Sequence, residues 1–450
     1  MELLEYLKRS EGKTLEFKRD LSSPDGVLRT ITSFSNTAGG LLLIGVEDKT
    51  KNVLGVSKPL DMEERLANLI SDRIQPRLVP ELEILPWRKT HILAVQIHPS
   101  PVRPHSLRFK GGEERIYVRV GSTNRVADQA IIDEMRRTVR STGFDEEAMP
   151  ELNSEALDFR VASESFAQTR KLKQADLINF NLLTSHQGRQ VPTVGGILLF
   201  GKDREKHFPD AWIQVGRFKG KTRSKIIDQR ELHGYPVDAI SEAIDFVQKH
   251  SLMAAEIGKV KRRDRWSIPP VAVREALINA VVHADYSQRG APIRLTLYDD
   301  RMEVESPGLL PFGLTIEDLQ QGVSKLRNRV LGRVFHTLGL IEQWGSGIGR
   351  MTDACREAGL ADPVLEEVGT HFRVTVSTMP YTEPAVDEKD QTILDALSSD
   401  GGRMTSEVAK QIGLSTRATR TRLAKLVERG LVREVGTSPK DPKRKYYLVD

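Results

Sequence analysis

The stretch "ITSFSNTAGGLLLIGVED", residues 31–48, decides how the N-terminal part of the chain folds. It runs from a polar, helix-like segment through Gly39 and Gly40 into an apolar run, and it ends on Glu47 and Asp48. Glycine adopts backbone conformations that other residues avoid. The pattern therefore predicts a tight turn from a helix end into a buried strand, and the strand ends at a carboxylate.

Length and composition restrict the class of protein. The 450 residues favour about three domains, and 39% apolar with 29% charged residues is ordinary for a globular protein. The longest apolar runs are far shorter than the roughly 20 residues that span a bilayer. The N-terminus mixes acids with its leucines, unlike a signal peptide. We therefore expect a cytoplasmic protein without a membrane segment.

Cysteine usage and net charge add two constraints. Cys355 is the only cysteine, which excludes a disulfide framework or a thiolate metal cluster. The net charge is +5 and the sequence pI is about 9.1, which mildly favours a polyanionic partner.

Helix-like and strand-like patterns predict an α/β (α+β) multidomain chain with four parts. The first is a mixed α/β unit, the second a connecting α/β segment, the third another α/β unit, and the fourth a winged helix-turn-helix. Their predicted bounds are residues 1–140, 150–265, 266–378 and 387–450.

Two predictions concern local structure. The runs "LLLIGVED" and "NVLGV", residues 41–48 and 52–56, together predict a hairpin. The run "PTVGGILLFGK", residues 192–202, predicts a buried strand that begins at its glycines.

The C-terminal part carries the clearest physical signal for function. Ser415 is a candidate N-cap for a helix whose apolar positions Leu423, Leu426 and Val427 would face the core. From residue 401 to the end there are twelve Lys/Arg against five Asp/Glu. Cations on exposed faces suit phosphates and guanine edges in a major groove. The predicted nucleic-acid contacts are Arg417, Arg420, Arg422 and Lys425, with Lys443 and Arg444 in a basic wing.

The alternative for this part is a winged helix that binds protein, in which the charged helix is only exposed to solvent. The charge surplus favours nucleic acid, and the motif favours DNA over RNA.

The third part contains "REALINAVVHADY", residues 274–286, where Glu275 and Asn279 share a helical face. It also contains "GSGIGRM", in which Gly345, Gly347 and Gly349 open a helix. An Asn oxygen suits a hard cation, and glycine-rich backbone presents amides to phosphate. The plain alternative is close packing between a helix and a loop.

These motifs resemble the GHKL ATPase family, which implies an α/β sandwich that binds ATP and Mg²⁺. In that family the helix supplies a general base and a magnesium ligand, here Glu275 and Asn279, and the glycine loops wrap the phosphates. The family's adenine-reading Asp is missing from "VESPGLLPFG", which offers Glu305 or Ser306 instead. The resemblance therefore leaves both adenine recognition and a weak ATPase activity open.

The N-terminal part carries "SEGKTLEFKRD", "SFSNTAGGLLLIGVED" and "RIYVRVGSTNRVAD" in this order. The three motifs resemble the Schlafen AlbA-like domain, which implies nucleic-acid binding. The phosphate contacts implied are Lys18, Arg119, Ser122, Asn124 and Arg125. Bacterial proteins that join this domain to a GHKL-like unit and a winged helix are similar to the whole chain and are called RecG-like transcriptional regulators. No helicase motor motif is visible.

Nuclease members of the Schlafen family use three acids, and their positions match Glu11, Glu16 and Asp48. Three converging carboxylates suit one or two Mg²⁺ or Mn²⁺ ions that activate water. Without a metal they would repel one another and raise their pKa values. The alternative is that Glu16 pairs with Lys18 or Arg19 and that Asp48 starts a turn.

The resemblance and the charge pattern together favour a DNA-binding transcriptional regulator, modulated by nucleotide at the third part. The rival function is a metal-dependent endoribonuclease that acts on tRNA or other RNA. A scaffold that assembles with other proteins is the third reading. We expect a homodimer or a higher homo-oligomer, because winged helices commonly read paired half-sites.

Overall fold

The computed structural model describes residues 3–48, 50–251, 253–257, 262–342, 345–379, 388–398, 402–428, 431–435 and 444–449. Contacts within the chain define two compact units. Unit 1 joins Met1–Ala127 with Thr382–Asp450, and unit 2 is Asp128–Tyr381. No helix among the described residues is long and apolar enough to cross a bilayer.

The first 127 residues mix helices and strands. The helices are α1 (Leu3–Lys8), α2 (Pro24–Asn36) and α3 (Pro59–Arg73). The strands are β1 (Leu15–Lys18), β2 (Gly40–Ile44), β3 (Ile74–Gln75), β4 (Glu81–Trp87), β5 (Thr90–Ile97), β6 (Ser106–Arg108), β7 (Glu114–Val120) and β8 (Thr123–Val126).

Unit 2 is a second mixture of helices and strands. The helices are α4 (Gln129–Val139), α5 (Phe159–Phe166), α6 (Gln174–Asn179), α7 (Val194–Phe200), α8 (Arg204–His207), α9 (Pro236–His250), α10 (Pro270–His283), α11 (Ile316–Gln320), α12 (Arg329–Thr337) and α13 (Gly347–Glu357). The strands are β9 (Leu183–His186), β10 (Arg189–Pro192), β11 (Ile213–Phe218), β12 (Ile226–Leu232), β13 (Met253–Ile257), β14 (Arg262–Trp266), β15 (Ile293–Leu297), β16 (Arg301–Pro307), β17 (Val364–Val368) and β18 (His371–Ser377).

The C-terminal residues have the predicted order of a winged helix-turn-helix. The helices are α14 (Glu388–Leu397), α15 (Thr405–Ile412) and α16 (Thr416–Glu428). The strands are β19 (Arg403–Met404), β20 (Val432–Val435) and β21 (Lys445–Leu448).

The opening stretch folds as its sequence predicts. Helix α2 ends at Asn36, and β2 begins at Gly40 after Gly39 has turned the chain with a φ of +76°. A Cβ at Gly39 would lie 2.6 Å from the carbonyl oxygen of Ile97, so no side chain fits there. Asn36 is buried and its amide donates to the carbonyls of His105 and Tyr117. The glycines are therefore structural, and Asn36 fastens the helix end to the strands behind it.

A four-stranded sheet in the order β1–β2–β5–β4 forms the centre of unit 1. Strands β1 and β2 are parallel, with α2 as their connection, and β5 is antiparallel to β2. Leu42 and Ile44 point to the face that α2 and α3 cover, where they pack with Phe34.

The opposite face of this sheet is covered from both ends of the chain. Phe17 and Leu43 lie in one apolar cluster with Leu7 of α1 and with Val435 and Tyr447 of the last two strands. All five side chains are almost completely buried. The strands of the winged helix thus complete the core of the N-terminal α/β fold, which explains why the two segments form one unit.

Unit 2 is built on a six-stranded sheet in the order β12–β11–β15–β16–β18–β17. Its apolar core joins side chains of this sheet to side chains of α7, α9, α10, α12 and α13. Helix α10 packs on α13 and on β16, which places its polar residues beside the first turn of α13.

The predicted strand over residues 192–202 is wrong, because this run forms helix α7. All seven residues of α7 are buried, and a fully apolar run has no period that separates a buried strand from a buried helix. The Thr193 hydroxyl caps the helix by accepting from the Gly196 N–H at 3.0 Å. A Cβ at Gly196 would lie 2.3 Å from the Leu182 carbonyl oxygen, so the glycine permits close packing and does not begin a strand.

The predicted hairpin over residues 41–56 is also wrong. Residues 52–56 form no strand, and only a single bridge joins Val46 to Val53. Strand β2 pairs with β1 on one side and with β5 on the other. Both of its edges are therefore used, and neither is left for residues 52–56. The chain does fold back after β2, where the Glu47 N–H donates to the Asn52 carbonyl and the Leu54 N–H to the Gly45 carbonyl, but this return adds no strand to the sheet.

Candidate nucleic-acid interface and ligand cleft

Helix α16 presents a basic face to solvent. The Ser415 hydroxyl accepts from the Ala418 N–H at 3.2 Å, which confirms the predicted cap. Leu423 and Leu426 are fully buried. Arg417, Arg420 and Lys425 are exposed. The apolar and basic faces of α16 therefore lie where the sequence predicts them.

Arg422 differs from this expectation of exposure. Its guanidinium donates to Asp390 of α14 at 2.6 Å and its side chain is half-buried. Arg444 is similarly paired with Glu434 of β20 at 2.6 Å. Both arginines thus brace the winged helix. Lys443, the other predicted wing contact, lies outside the described residues.

Glu16 lies in the interior of unit 1 and carries two cationic partners. Arg119 Nη2 donates to Glu16 Oε2 at 2.5 Å, and Lys18 Nζ donates to Glu16 Oε1. Arg119 also donates to the Gly12 carbonyl at 3.0 Å and to Asn124 Oδ1 at 3.0 Å. Glu16 therefore forms a buried, hydrogen-bonded ion pair.

The predicted phosphate contact at Arg119 is wrong. Arg119 is only 1% exposed and its donors are used inside the protein, so a phosphate has no access to it. Asn124 is part of the same network and donates to the Thr30 hydroxyl. Ser122 and Arg125 are exposed on the turn and strand that follow β7, and their predicted role stays a prediction.

Glu11 lies near this pair and near Asp48. Glu11 Oε1 accepts from the Phe17 N–H at 2.8 Å. Burial is the largest cause that raises the pKa of Glu11 to about 7; the neighbouring Asp48 carboxyl and the charge of Glu16 raise it too, and the backbone hydrogen bond from Phe17 opposes them. Both other acids therefore lie close enough to Glu11 to affect its ionisation.

Lys51 already supplies a cation to this cluster. Its Nζ lies 3.7 Å from Asp48 Oδ1 and 3.8 Å from the centre of the Phe17 ring. Burial lowers the pKa of the Lys51 ammonium, although Glu11 and Asp48 oppose this. Sequence reasoning missed Lys51, because only the fold brings this side chain over the Phe17 ring of β1.

This arrangement does not fit a divalent metal ion as it stands. Both oxygens of Glu16 are engaged by cationic side chains, and the Lys51 ammonium lies beside the other two acids. Across the described residues, no group of three or more His, Cys, Asp or Glu is arranged to hold a metal ion. A metal would have to displace Lys51, so the metal ligands Glu11, Glu16 and Asp48 stay a prediction.

A cleft in unit 2 brings the GHKL-like residues together. It encloses about 1100 Å³ including its solvent-open mouth, and Glu275, Asn279, Gly345 and Gly347 line it. A Cβ at Gly347 would lie 2.7 Å from Glu275 Oε2, so the glycine lets the first turn of α13 approach α10. Gly345 has a φ of +65° and fits closely against the Gly322 carbonyl. Gly349 is exposed with open space around it and is not among the lining residues.

Glu275 is buried and ion-paired. Its Oε1 accepts from Arg274 Nη1 at 3.0 Å and from Arg350 Nη2 at 3.2 Å. Sequence reasoning missed Arg350, although its place one turn after Gly347 puts it on the same helical face.

Strand β16 separates the two candidates for adenine recognition. Ser306 lines the cleft, and Val304 lines it too, as the alternation of a strand requires. Glu305 points to the other face, where it accepts from Arg373 at 2.6 Å and from Arg223 at 3.1 Å. Of the two candidates, Ser306 is therefore the one that faces the cleft.

Two features of the cleft lining favour an anion. The first turn of α13 offers backbone N–H groups at a helix N-terminus, which favour anions, and Lys325 lines the same space. Asn279 is half-buried and lines it too, and an amide oxygen is a ligand type that Mg²⁺ accepts.

Three family models match separate parts of the chain. Residues 11–128 match the model "Schlafen, AlbA_2". Residues 290–376 match the HATPase_c_4 model, described as "Putative ATP-dependent DNA helicase recG C-terminal", and residues 386–433 match a winged helix-turn-helix DNA-binding model. The predicted resemblance and the α/β multidomain fold are thus confirmed. Helix α10, with Glu275 and Asn279, precedes the matched range.

Solved structures are similar to this chain at low sequence identity. The DIP2311 protein from Corynebacterium diphtheriae is 18% identical with a TM-score of 0.46, over 97% of this chain and 95% of that one. The N-terminal domain of a RecG-related protein from Nitrosomonas europaea is 23% identical with a TM-score of 0.23, over 28% of this chain and 92% of that one. No curated protein matches the chain.

Proposed function

We propose that the chain is a DNA-binding transcriptional regulator whose helix α16 enters the major groove. The observation that carries this proposal is the basic face of α16, with Arg417, Arg420 and Lys425 exposed while Leu423 and Leu426 are buried. Cations on such a face contact phosphates and read base edges. The match to a winged-helix DNA-binding model supports the same conclusion.

The test is the salt dependence of DNA binding by the full chain. Each phosphate contact contributes about 0.9 to the slope of log affinity against log salt. The variant Arg417→Ala/Arg420→Ala should therefore lose about 1.8 of this slope if both residues contact phosphate. Between about 50 and 200 mM salt the parent would then lose roughly twelvefold more affinity than the variant.

A matched control removes two exposed cations elsewhere. Arg160 and Lys202 lie on the surface of unit 2, so Arg160→Ala/Lys202→Ala changes the net charge equally without touching α16. Fluorescence anisotropy on a mixed pool of duplex DNA measures all three proteins. Equal slopes for the parent and the α16 variant would remove α16 from the interface.

We further propose that a nucleotide in the cleft of unit 2 modulates DNA binding. The support is the shared lining of the cleft by Asn279, Ser306, Lys325 and Gly347. Modulation requires only that the ligand bind one state of the protein more tightly than another, so the ion-paired Glu275 does not weaken it.

Calorimetric titration with ATP and Mg²⁺ tests the cleft. We expect binding by the parent and a loss of affinity for Asn279→Ala, with DNA affinity then measured with and without ATP. No heat and no thermal shift for the parent would make the cleft structural, and the DNA-binding proposal would stand without it.

The rival function is a metal-dependent endoribonuclease that cleaves tRNA or other RNA. The meeting of Glu11 with Asp48 favours it, whereas the cations on Glu16 and beside Asp48 oppose it. We therefore rank it second, and a direct cleavage assay decides between the two.

A further inference from the structure

Strand β12 leaves one edge of the six-stranded sheet open. It pairs with β11 on one side, and among the described residues no strand pairs with its other side. Five of its seven residues are exposed, and Ile226 and Ile227 have exposed fractions of 51% and 53%. An open edge of this length is a ready template for pairing with another chain.

Proteins often protect such an edge with charges that repel a second copy. The charges of β12 are arranged differently. If two copies pair antiparallel with Gln229 opposite Gln229, Asp228 of each copy lies opposite Arg230 of the other. Opposite charges in facing positions stabilise a strand pair. The strand is therefore complementary to itself in this register.

Only the central part of β12 is regular enough to pair in this register. A register shift opposite Arg217 and Phe218 interrupts the strand between Ile226 and Asp228, so the facing pairs are Asp228 with Arg230 on either side of Gln229. Ile226 lies beyond the shift, and its exposed side chain adds apolar area next to this edge.

The facing residues also share one side of the sheet. Asp228 accepts from Lys249 and His250 of α9, and the Arg230 guanidinium lies 5.9 Å from the Phe246 ring of α9. Both side chains thus lie on the α9 side, as facing residues of an antiparallel pair must.

We propose that the open edge of β12 is a homodimer interface, in which two copies pair antiparallel about Gln229 and their sheets become continuous. The partner is a second copy of this chain, because the charge pattern is complementary to itself. A two-fold dimer would also supply two winged helices for paired half-sites. The interface stands independently of what the winged helix binds.

Cross-linking at the centre of the strand tests the register. Facing residues have Cα atoms about 4.5–5.5 Å apart, within the range of a disulfide. Gln229→Cys should therefore form an intermolecular disulfide under mild oxidation. Glu231→Cys is the matched control, because its two copies would lie about 13 Å apart along the strands. The native Cys355 is fully buried and contributes no cross-link.

Charge reversal gives a second, independent readout. Arg230→Asp places two acids opposite two acids, and Asp228→Arg places two arginines opposite two arginines. Each variant alone should dimerise about tenfold or more weakly, whereas an equimolar mixture restores both opposite-charge pairs. Light scattering after size exclusion measures the mass.

The expected result is a dimeric parent, a cross-link only from Gln229→Cys, and a dimer regained only in the mixture. A parent that is monomeric at micromolar concentration, equal cross-linking of the two cysteine variants, or an undiminished Arg230→Asp dimer would each overturn the proposal.

Discussion

Replacing Glu11 by Gln should stabilise unit 1 at alkaline pH. The folded protein raises the pKa of Glu11 from 4.5 to about 7, mainly through burial. The folded state thus holds this proton more tightly than the unfolded state does. The stability that the protonated Glu11 carboxyl contributes to the folded state is fully present below about pH 4.5. It is lost as the pH rises through about 7. Gln has no proton to lose and avoids that loss.

The magnitude follows from the two pKa values. Their separation of about 2.5 pH units, at about 1.4 kcal/mol per unit, sets an upper limit of about 3.5 kcal/mol. Glu11 is only half-buried, so solvent screening reduces the expected effect to about 1–2 kcal/mol. Gln also accepts the hydrogen bond from the Phe17 N–H, which Glu11 accepts at 2.8 Å. A fold of this size shifts its melting temperature by about 2–4 °C per kcal/mol, so we expect roughly 2–8 °C.

Thermal melting by circular dichroism at pH 5 and pH 8.5, with a chelator present, measures this difference. Glu64→Gln on the exposed surface of α3 is the matched control, and it should change little at either pH. The advantage of Glu11→Gln should grow from pH 5 to pH 8.5. An advantage that is constant, or that is larger at pH 5, would refute burial as the cause.

Three further predictions concern the sites directly. Arg119→Met leaves the Glu16 carboxylate without its buried partner and should cost about 3–5 kcal/mol, seen as a lower melting temperature; an unchanged melt would contradict the buried pair. Gly347→Ala places a Cβ 2.7 Å from Glu275 Oε2 and should weaken ATP binding, whereas Gly349→Ala meets open space and should not; equal titrations would contradict the close packing. For the nuclease alternative, tRNA is incubated with the protein in Mg²⁺ or Mn²⁺, and cleavage abolished by Glu16→Ala would support it, whereas no cleavage with either metal would remove it.

The parts of each site that depend on local sequence could be predicted. The Ser415 cap and the burial of Leu423 and Leu426 follow from helical periodicity. The shared face of Glu275 and Asn279 follows from their spacing of four, and the structure places both in one cleft.

The parts that depend on partners far along the chain could not be predicted. Arg119 was expected to contact phosphate because its motif resembles one of the Schlafen AlbA-like domain, yet its partners Gly12 and Glu16 lie about a hundred residues away. Lys51 was missed because it combines the nearby Asp48 with Phe17 and Glu11, which lie about 35 and 40 residues away. Helix α7 was mistaken for a strand because an apolar run of seven residues is equally compatible with both.

By itself the sequence determined the order of the three recognisable parts, the turn at Gly39 and the basic face of α16, because each depends on neighbours within a few residues. Only the tertiary structure decided that Val435 and Tyr447 complete a core with Phe17, and that Arg119 and Lys51 neutralise the acids. Burial of apolar area and pairing of buried charge are set by whichever segments meet in space. Local periodicity does not show which distant segments come into contact.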